Sequence, residues 1–307
     1  MTVQERAGSV TLGPVLFNWQ PETWRDFYYR IADEAPVETV YLGEVVCFKR
    51  APLFDDYLEA VVERLRAAGK TVVRSTLAEV MSKQERQLID DACAGEDLVE
   101  ANDGSALLRL RGRPHYVGPF INVYNERTLA VLAGNGARNV CLPPEMPASA
   151  IRALAPEAAK LGVMTEVQVF GRVGLALSAR CYHARAHGRT KDTCQFICNV
   201  DPDGMTLRTL EDQPFLTVNG IQTMSHDYLN LAAELADLRD MGIGRFRLSP
   251  HSCDMVAVAK IFRDALDRGI DAAEAGARLD ALQLGAPFSN GFYHGKRGHT
   301  WGQAAAS

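Results

Sequence analysis

Hydrophobic positions along this chain alternate between two spacings. Short apolar runs such as 39–46 and 245–248 are typical of buried strands, and between them apolar residues recur every three or four positions. The clearest helical stretch places Phe54, Val61 and Leu65 on one face. Repeated strand–helix units predict parallel strands joined by right-handed crossovers. About seven to nine such units favour a TIM-like α/β barrel with outer helices, and an open doubly wound sheet is the alternative.

One long segment of the chain has no clear periodicity. Residues 181–226 follow neither spacing, and long irregular segments inside compact domains are usually functional. We therefore predict a single barrel domain over residues 1–307 with an inserted loop around 172–226. The predicted strands are 11–17, 39–46, 71–74, 98–101, 116–123, 139–142, 166–170, 175–179 and 245–248, and the predicted helices are 21–31, 54–65, 83–94, 105–110, 126–133, 148–161, 228–241, 255–266 and 272–283.

The composition is that of an ordinary globular protein. With 307 residues, 47% of them hydrophobic, the chain is long enough for a barrel of about 250 residues. Its net charge of −5 and its pI near 5.8 argue against a surface that wraps DNA, since such surfaces are usually basic. The N-terminal sequence MTVQERAGSV lacks the apolar core of a secretory signal, and no apolar run approaches the about 20 residues that span a bilayer. We expect a soluble, cytoplasmic protein without a transmembrane segment.

The most informative part of the sequence is the segment 178–199. It contains Cys181, Cys194 and Cys198 in a polar stretch without regular periodicity. Because the cytosol keeps thiols reduced, metal ligation or burial explains these cysteines better than disulfide bonding does. Thiolates on one loop can converge on a single metal centre, but three are one short of the four that usually hold a cubane iron–sulfur cluster. A fourth ligand must then come from elsewhere in the chain.

Two cysteines outside this segment are candidates for the fourth ligand. Cys47 directly follows a predicted strand, which places it at the carboxyl rim of a barrel, where active sites are built. Cys253 follows the strand predicted at 245–248 and reaches the same rim, so it is the rival. Cys93 and Cys141 lie among apolar residues, on a helix and a strand, and are interpreted as small buried side chains.

Polar residues near strand ends supply further candidates. Glu44, Asn122 and His251 lie at or just after predicted strands, where barrel enzymes place catalytic groups. Arg180 and Arg185 flank the first cysteine of the polar segment, and this basic stretch predicts an anion site or a charge partner for a thiolate cluster. A solvated loop is the alternative interpretation of the two arginines.

Several common catalytic patterns are missing from the sequence. No G-x-G-x-x-G follows the first strand and no G-x-x-x-x-G-K-[ST] occurs, which disfavours nucleotide binding by those routes. The G-x-S-x-G elbow and the H-E-x-x-H zinc motif are also absent, so peptidase activity is not expected. The absence of a C-x3-C-x2-C run disfavours a radical S-adenosylmethionine enzyme.

Five stretches resemble the collagenase-like peptidase family. They are LGPVLFNW at 12–19, VYLGEVVCFKR at 40–50, INVYNERTL at 121–129, SARCYHARAHGRTKDTCQFIC at 178–198 and NGIQTMS at 219–225. The GEVVC motif and the arginine-rich cysteine segment are the more specific, and they are similar to the branch of the family that acts in anaerobic ubiquinone biosynthesis. The resemblance implies a TIM-like barrel with a 4Fe–4S cluster held by Cys47, Cys181, Cys194 and Cys198.

The resemblance also implies a reaction and partners. The chain is expected to form a heterodimer with a homologous UbiU-like subunit that hydroxylates ubiquinone precursors without O2, with prephenate as the suggested oxygen donor. A UbiT-like lipid-binding protein belongs to the same pathway. Two alternatives remain open: a hydroxylase that acts on RNA through the same barrel, and a non-catalytic scaffold whose cluster only stabilises the fold.

Overall fold

The centre of the computed structural model, which describes residues 8–302, is a closed barrel of eight parallel strands. The strands are β1 (Ser9–Leu12), β2 (Thr39–Leu42), β3 (Thr71–Ser75), β4 (Leu98–Ala101), β5 (His115–Val117), β6 (Ala137–Cys141), β7 (Met164–Leu177) and β11 (Arg245–Leu248). Strand β1 pairs with β2 on one side and with β11 on the other, and β11 pairs with β7, which closes the ring. The TIM-like α/β barrel predicted from the sequence is confirmed.

Helices follow the barrel strands and pack around the outside. Ser82 starts one of them with a capping box: its Oγ accepts a hydrogen bond from the backbone N of Glu85 (3.1 Å), and the Glu85 carboxylate accepts one from the Ser82 backbone (2.7 Å). No helix within residues 8–302 combines the length and the apolar character needed to cross a bilayer. The outer helices are α1 (Pro21–Glu34), α2 (Asp55–Ala67), α3 (Lys83–Ala94), α4 (Gly104–Arg109), α5 (Glu126–Gly134), α6 (Ala148–Lys160), α8 (Leu235–Asp240), α9 (Met255–Leu266) and α10 (Ala272–Asp280).

The segment between β7 and α8 is an ordered extension of the barrel sheet. Strand β7 continues beyond the barrel, where β10 (Gln222–Asn230) pairs with it in antiparallel fashion. Strands β9 (Pro214–Asn219) and β8 (Met205–Arg208) add to β10 in turn, also antiparallel. The short helix α7 (Tyr182–Ala186) and the 3-10 turn Ile197–Val200 carry the cysteine segment, and β12 (Phe288–Ser289) pairs with β10.

Several predicted boundaries are wrong, most of them next to this segment. The helix predicted at 228–241 is mostly not a helix, because 228–230 end β10 and α8 covers only Leu235–Asp240. The apolar spacing of this segment fits a strand end followed by a turn as well as it fits a helix. Residues 228–230 form a strand because they pair with β7. The strands predicted at 166–170 and 175–179 are one strand, β7. The strand predicted at 11–17 ends at position 12, where Gly13 and Pro14 follow and proline has no N–H to donate to a neighbouring strand.

Charged and polar side chains cross the interior of the barrel and join its strands. Glu166 on β7 accepts hydrogen bonds from Tyr41 Oη (2.7 Å), from Asn139 Nδ2 (2.8 Å) and from the Thr11 hydroxyl. Arg247 Nη2 forms an ion pair with Glu166 Oε2 at 2.9 Å. Burial alone would raise the pKa of Glu166, but the Arg247 guanidinium beside it holds the pKa at about 2. The carboxylate is therefore ionised and linked to residues of four other barrel strands.

Candidate functional site

Four cysteines line one small cavity at the carboxyl rim of the barrel, called the thiol cavity below. Cys47 comes from the loop after β2, whereas Cys181, Cys194 and Cys198 come from the segment between β7 and β8. All four are half-buried free thiols. The fold thus brings Cys181, Cys194 and Cys198 together with Cys47, the set of ligands that the family resemblance implies. Cys253, the rival for the fourth position, lines a different cavity.

The loop that carries Cys47 leaves the barrel earlier than predicted. The strand predicted at 39–46 ends at position 42 because Gly43 adopts a φ of 132°, and a Cβ there would lie 2.3 Å from the carbonyl oxygen of Ser75. Glu44 then folds the loop: its Oε1 accepts hydrogen bonds from two backbone N–H groups, one of them that of Cys47, both at 2.8 Å. The Glu44 carboxylate, a catalytic candidate from the sequence, positions Cys47 in this structure.

The chain reverses direction between Cys194 and Cys198. Gln195 and Phe196, the two residues after Cys194, adopt left-handed backbone conformations with φ of 49° and 53°. Two consecutive left-handed residues turn the backbone sharply, so the three-residue spacing presents both thiols to the same cavity. The sequence contains no glycine at these positions that could have signalled the turn.

Two of the thiol sulfurs accept hydrogen bonds from N–H groups. The backbone N of Ala184 donates to Cys181 Sγ at 3.4 Å, and Asn18 Nδ2 donates to Cys198 Sγ at 3.4 Å. Asn18 is buried and lies beyond the end of β1, so the barrel itself contributes to the cavity. Hydrogen bonds to sulfur favour the thiolate and are one means by which proteins adjust the potential of iron–sulfur clusters.

A buried arginine that the sequence analysis did not single out lies beside these thiols. Arg50 is 1% exposed, and its guanidinium donates to the carbonyl oxygen of Leu16 (2.8 Å) and to Asn219 Oδ1 (3.1 Å). Burial raises the pKa of the Cys47 thiol to about 11, and the charge of Arg50 opposes this rise. The sequence feature that could have indicated Arg50 is its spacing from Cys47. Arg50 follows Cys47 by three positions along a 3-10 helix, and residues at this spacing lie on one face of such a helix.

Two lysines complete the positive lining of the thiol cavity. Lys49 Nζ donates to the carbonyl oxygen of Lys191 at 2.7 Å, across 142 residues of sequence, and Lys191 Nζ pairs with Glu85 Oε1 at 3.2 Å. Arg180 and Arg185 are both exposed and neither lines the cavity. The role of Arg180 and Arg185 beside a cluster stays a prediction. The arginine that lines the cavity with the thiols is Arg50.

The donors at the thiol cavity fit an anionic iron–sulfur cluster in their chemistry. Among the described residues that line it are four thiols, two lysines and one arginine, and no carboxylate. Within residues 8–302, no group of three or more His, Cys, Asp or Glu side chains is arranged to hold a metal ion. Cysteine thiolates are the usual ligands of iron–sulfur clusters, and lysine and arginine side chains beside them suit an anionic group.

A second cavity of about 210 Å³, called the mouth cavity below, opens at the carboxyl end of the barrel. Arg172, Gln222 and Arg247 line it, together with apolar side chains from the strand ends and loops. Asn122, predicted as a catalytic candidate, lies exposed at its edge with a left-handed φ of 59°. The mouth cavity occupies the position at which barrel enzymes bind their ligands.

His251, the third catalytic candidate, is fully buried between the barrel and strands β8–β10. Its Nε2 accepts a hydrogen bond from the backbone N of Arg172 (3.0 Å), and its Nδ1 faces Asp203 Oδ1 at 3.4 Å. Burial lowers the pKa of His251, and the Asp203 carboxylate opposes this. Because Nε2 accepts a hydrogen bond, the proton of the neutral ring belongs on Nδ1. The ring also packs edge-on against Tyr228. We interpret His251 as a structural residue whose contacts hold strands β8–β10 against the barrel.

Comparison with known proteins places the sequence in a family. The sequence pattern described as "Peptidase family U32" matches residues 20–303, nearly the whole chain. This chain belongs to peptidase family U32. The match confirms the collagenase-like peptidase resemblance at the level of the family. All four cysteines of the thiol cavity lie within the matched part of this U32 chain.

Solved structures with a similar outline include two enzymes. A truncated 3-deoxy-D-arabino-heptulosonate 7-phosphate synthase from Thermotoga maritima superposes on the U32 chain with a TM-score of 0.41 and 12% identity, covering 92% of this chain and 89% of the other. A tryptophan synthase complex from Pyrococcus furiosus gives a TM-score of 0.40 and 13% identity, with 90% and 98% covered. Scores this low carry no argument about the function of the U32 chain.

Proposed function

We propose that this chain is the iron–sulfur subunit of an oxygen-independent hydroxylase that acts on ubiquinone precursors. The observation that carries the proposal is the convergence of Cys47 with Cys181, Cys194 and Cys198 on one cavity beside the buried Arg50. The GEVVC motif supplies the first of these cysteines, and within the family this early position resembles the anaerobic ubiquinone biosynthesis protein UbiV. Membership of peptidase family U32 is consistent with that assignment.

In this proposal the four thiols hold a 4Fe–4S cluster, which when bound supplies one-electron transfer. The surrounding residues keep the cavity closed and balance its negative charge. Gly220, at the turn between β9 and β10, adopts a φ of 62°, and a Cβ there would lie 2.9 Å from Arg50 Nη2. The glycine therefore lets the hairpin turn approach the guanidinium that lines the thiol cavity.

A cluster with four thiolate ligands leaves no iron open to substrate, so the ring substrate needs a separate binding place. The proposal therefore includes a UbiU-like homologous partner, with which this chain forms a heterodimer. It also includes prephenate as the oxygen donor and a UbiT-like lipid-binding protein that handles the isoprenoid precursors. These partners follow from the resemblance to UbiV.

The first experiment tests the cluster. Protein purified without oxygen should be brown and contain about four irons and four sulfides per chain, the content of a cubane. Exposure to air should bleach it. Stoichiometric zinc without sulfide would show that the thiols hold a different metal and would end the proposal.

The second experiment tests the reaction. The chain is expressed in a ubiquinone-deficient strain grown without oxygen, alone and together with a UbiU-like homologue. Ubiquinone should form only with both proteins, and Cys47→Ala should abolish it while Cys93→Ala, at a buried helix position, should not. A full cluster without any ubiquinone would favour the scaffold alternative, and tight, salt-sensitive RNA binding would favour the RNA-hydroxylating one.

A further inference from the structure

Two arginines beside the cysteines face solvent without a charge partner. Arg180 directly precedes Cys181, and Arg185 lies on α7. Both are exposed, and within residues 8–302 neither has a carboxylate at ion-pair distance. Neither lines the thiol cavity, where Arg50 is the arginine beside the thiols. The two exposed guanidinium groups are therefore available to a second molecule.

An exposed aromatic ring lies on the same side of the protein as one of these arginines. Helix α7 buries His183 and Ala184, whereas Tyr182 and Arg185 are exposed. Residues three apart lie on one side of a helix, so the Tyr182 ring, which is 48% exposed, lies beside Arg185. Tyrosine and arginine are enriched where proteins bind one another. Arg180, Tyr182 and Arg185 are called the arginine surface below.

The acids near the arginine surface are already paired. Asp201 Oδ2 lies 2.8 Å from His183 Nε2. Asp192 is the only acid of the segment 178–199, which has three arginines and one lysine, and it lies 3.9 Å from Lys49 Nζ. The arginine surface is thus a positive patch on a chain whose net charge is −5. A partner whose charge complements this patch carries acidic residues.

The arginine surface is joined directly to a proposed cluster ligand. Cys181 begins α7: its Sγ accepts a hydrogen bond from the backbone N of Ala184, and its carbonyl oxygen accepts one from the backbone N of Arg185 at 3.1 Å. A protein bound at this surface would lie next to Cys181. Electron transfer between proteins requires redox groups that lie close together, and such complexes use small interfaces of less than about 1,200 Å².

The small number of unpaired cations distinguishes this partner from a nucleic acid and from a membrane. Proteins that bind a phosphate backbone make about six to ten phosphate contacts, and segments that bind anionic lipids cluster about four to eight basic residues. Arg189 and Lys191 are engaged within the protein, so the surface offers only Arg180 and Arg185. Two cations and one aromatic ring suit a protein that binds briefly and is guided by charge.

On the basis of the proposed function, we infer that the arginine surface docks an acidic electron-carrier protein, which supplies single electrons to the cluster. The reduced carrier loses one electron and the oxidised cluster gains one, without a bond formed or a proton transferred. Arg180 and Arg185 orient the carrier by charge, and Tyr182 supplies apolar contact area. None of the three is a cluster ligand, so substitutions here change docking and leave the iron in place.

The test measures binding of an acidic plant-type ferredoxin to the whole chain, purified without oxygen, by calorimetry. Cytochrome c, a basic electron carrier, is the reference of opposite charge. The ferredoxin should bind about tenfold more tightly than cytochrome c, and raising the salt from about 0.05 M to about 0.5 M should weaken its binding about tenfold. Arg180→Gln combined with Arg185→Gln should weaken it about tenfold at low salt. Arg111→Gln is the matched control, because Arg111 is exposed in the loop before β5, at the opposite end of the barrel.

Further variants separate docking from folding. Arg180→Glu combined with Arg185→Glu should weaken ferredoxin binding further and strengthen cytochrome c binding, a gain that a misfolded protein cannot show. Tyr182→Ala should weaken ferredoxin binding and leave its salt dependence unchanged. In stopped-flow experiments, reduced ferredoxin should reduce the cluster more slowly in the combined glutamine variant than in the wild type at equal iron content.

Ferredoxin binding that is absent, insensitive to salt or unchanged in the combined glutamine variant would overturn the inference. Tighter binding of single-stranded RNA or of anionic lipid vesicles through the same arginines would also overturn it, as would release of the ferredoxin by a UbiU-like homologue. A protein without iron would instead end the proposed function, and the ferredoxin titration would still report on the arginine surface.

Discussion

Replacing Arg50 by Gln should lower the reduction potential of the bound cluster. Arg50 is 1% exposed and lines the thiol cavity together with Cys47 and Cys198, so solvent screens its charge little. At an effective dielectric constant of about 20, two unit charges roughly 6 Å apart interact by about 3 kcal/mol, which corresponds to about 120 mV for a one-electron couple. A nearby positive charge favours the reduced state. Its removal should therefore shift the potential by about 100 mV in the negative direction.

The assay is a redox titration of anaerobic protein, followed by absorption or electron paramagnetic resonance. Arg50→Lys keeps the charge and should lie closer to the wild type. Arg180→Gln is the matched control, because this arginine is exposed and solvent screens its charge. A variant Arg50→Gln with full iron content and an unchanged potential would refute the reasoning. An equal shift in Arg180→Gln would instead support the assignment made from the sequence.

Three further predictions concern the cluster, the barrel and the partner. Cys47→Ala should lose its iron in metal analysis, whereas Cys141→Ala should keep it and cost about 1 kcal/mol of stability in denaturant titration; the opposite pattern would exclude Cys47 as a ligand. In cluster-free protein, the unfolding free energy should fall by roughly 2 to 3 kcal/mol between about pH 6 and pH 2, because the pKa of Glu166 is lowered to about 2 and the unfolded carboxyl binds its proton first. Glu166→Gln should lack this component, and an identical acid dependence in both proteins would contradict it. Co-expression with a UbiU-like homologue should give a heterodimer in size-exclusion chromatography, and a monomer with full hydroxylase activity would argue against it.

The barrel could be predicted from the sequence because each strand–helix unit is encoded locally. Residues 71–74 and 98–101, for example, are short apolar runs between amphipathic helices, and the structure has strands at both. Strands β8–β10, which extend the barrel sheet, could not be predicted in the same way. Strand β8 is short and largely exposed, so its conformation depends on pairing with β9 rather than on its own hydrophobic pattern.

Cys181, Cys194 and Cys198 could be singled out because cysteines are rare and their spacing is visible in the sequence. Spacing left Cys47 and Cys253 as rivals for the fourth position, and the family resemblance pointed to Cys47. Arg50 was missed because it follows Lys49 in a basic run, which usually indicates an exposed segment. Its burial depends on partners that lie 34 and 169 residues away, Leu16 and Asn219. For His251 the sequence indicated a polar residue at a strand end, but its two ring contacts come from elements far apart in the chain.

The four thiols come from two parts of the chain that are separated by residues 48–180, which form most of the barrel. A cluster bound to them therefore closes a very long loop, and such a link restricts the unfolded chain much as a disulfide does, by several kcal/mol in the chain-entropy model. Oxygen that removes the iron also removes this restraint, so the segment between β7 and β10 becomes easier to open and easier for proteases to cut. Under this proposal, the lifetime of the protein in the cell, and not only its activity, depends on whether oxygen is present.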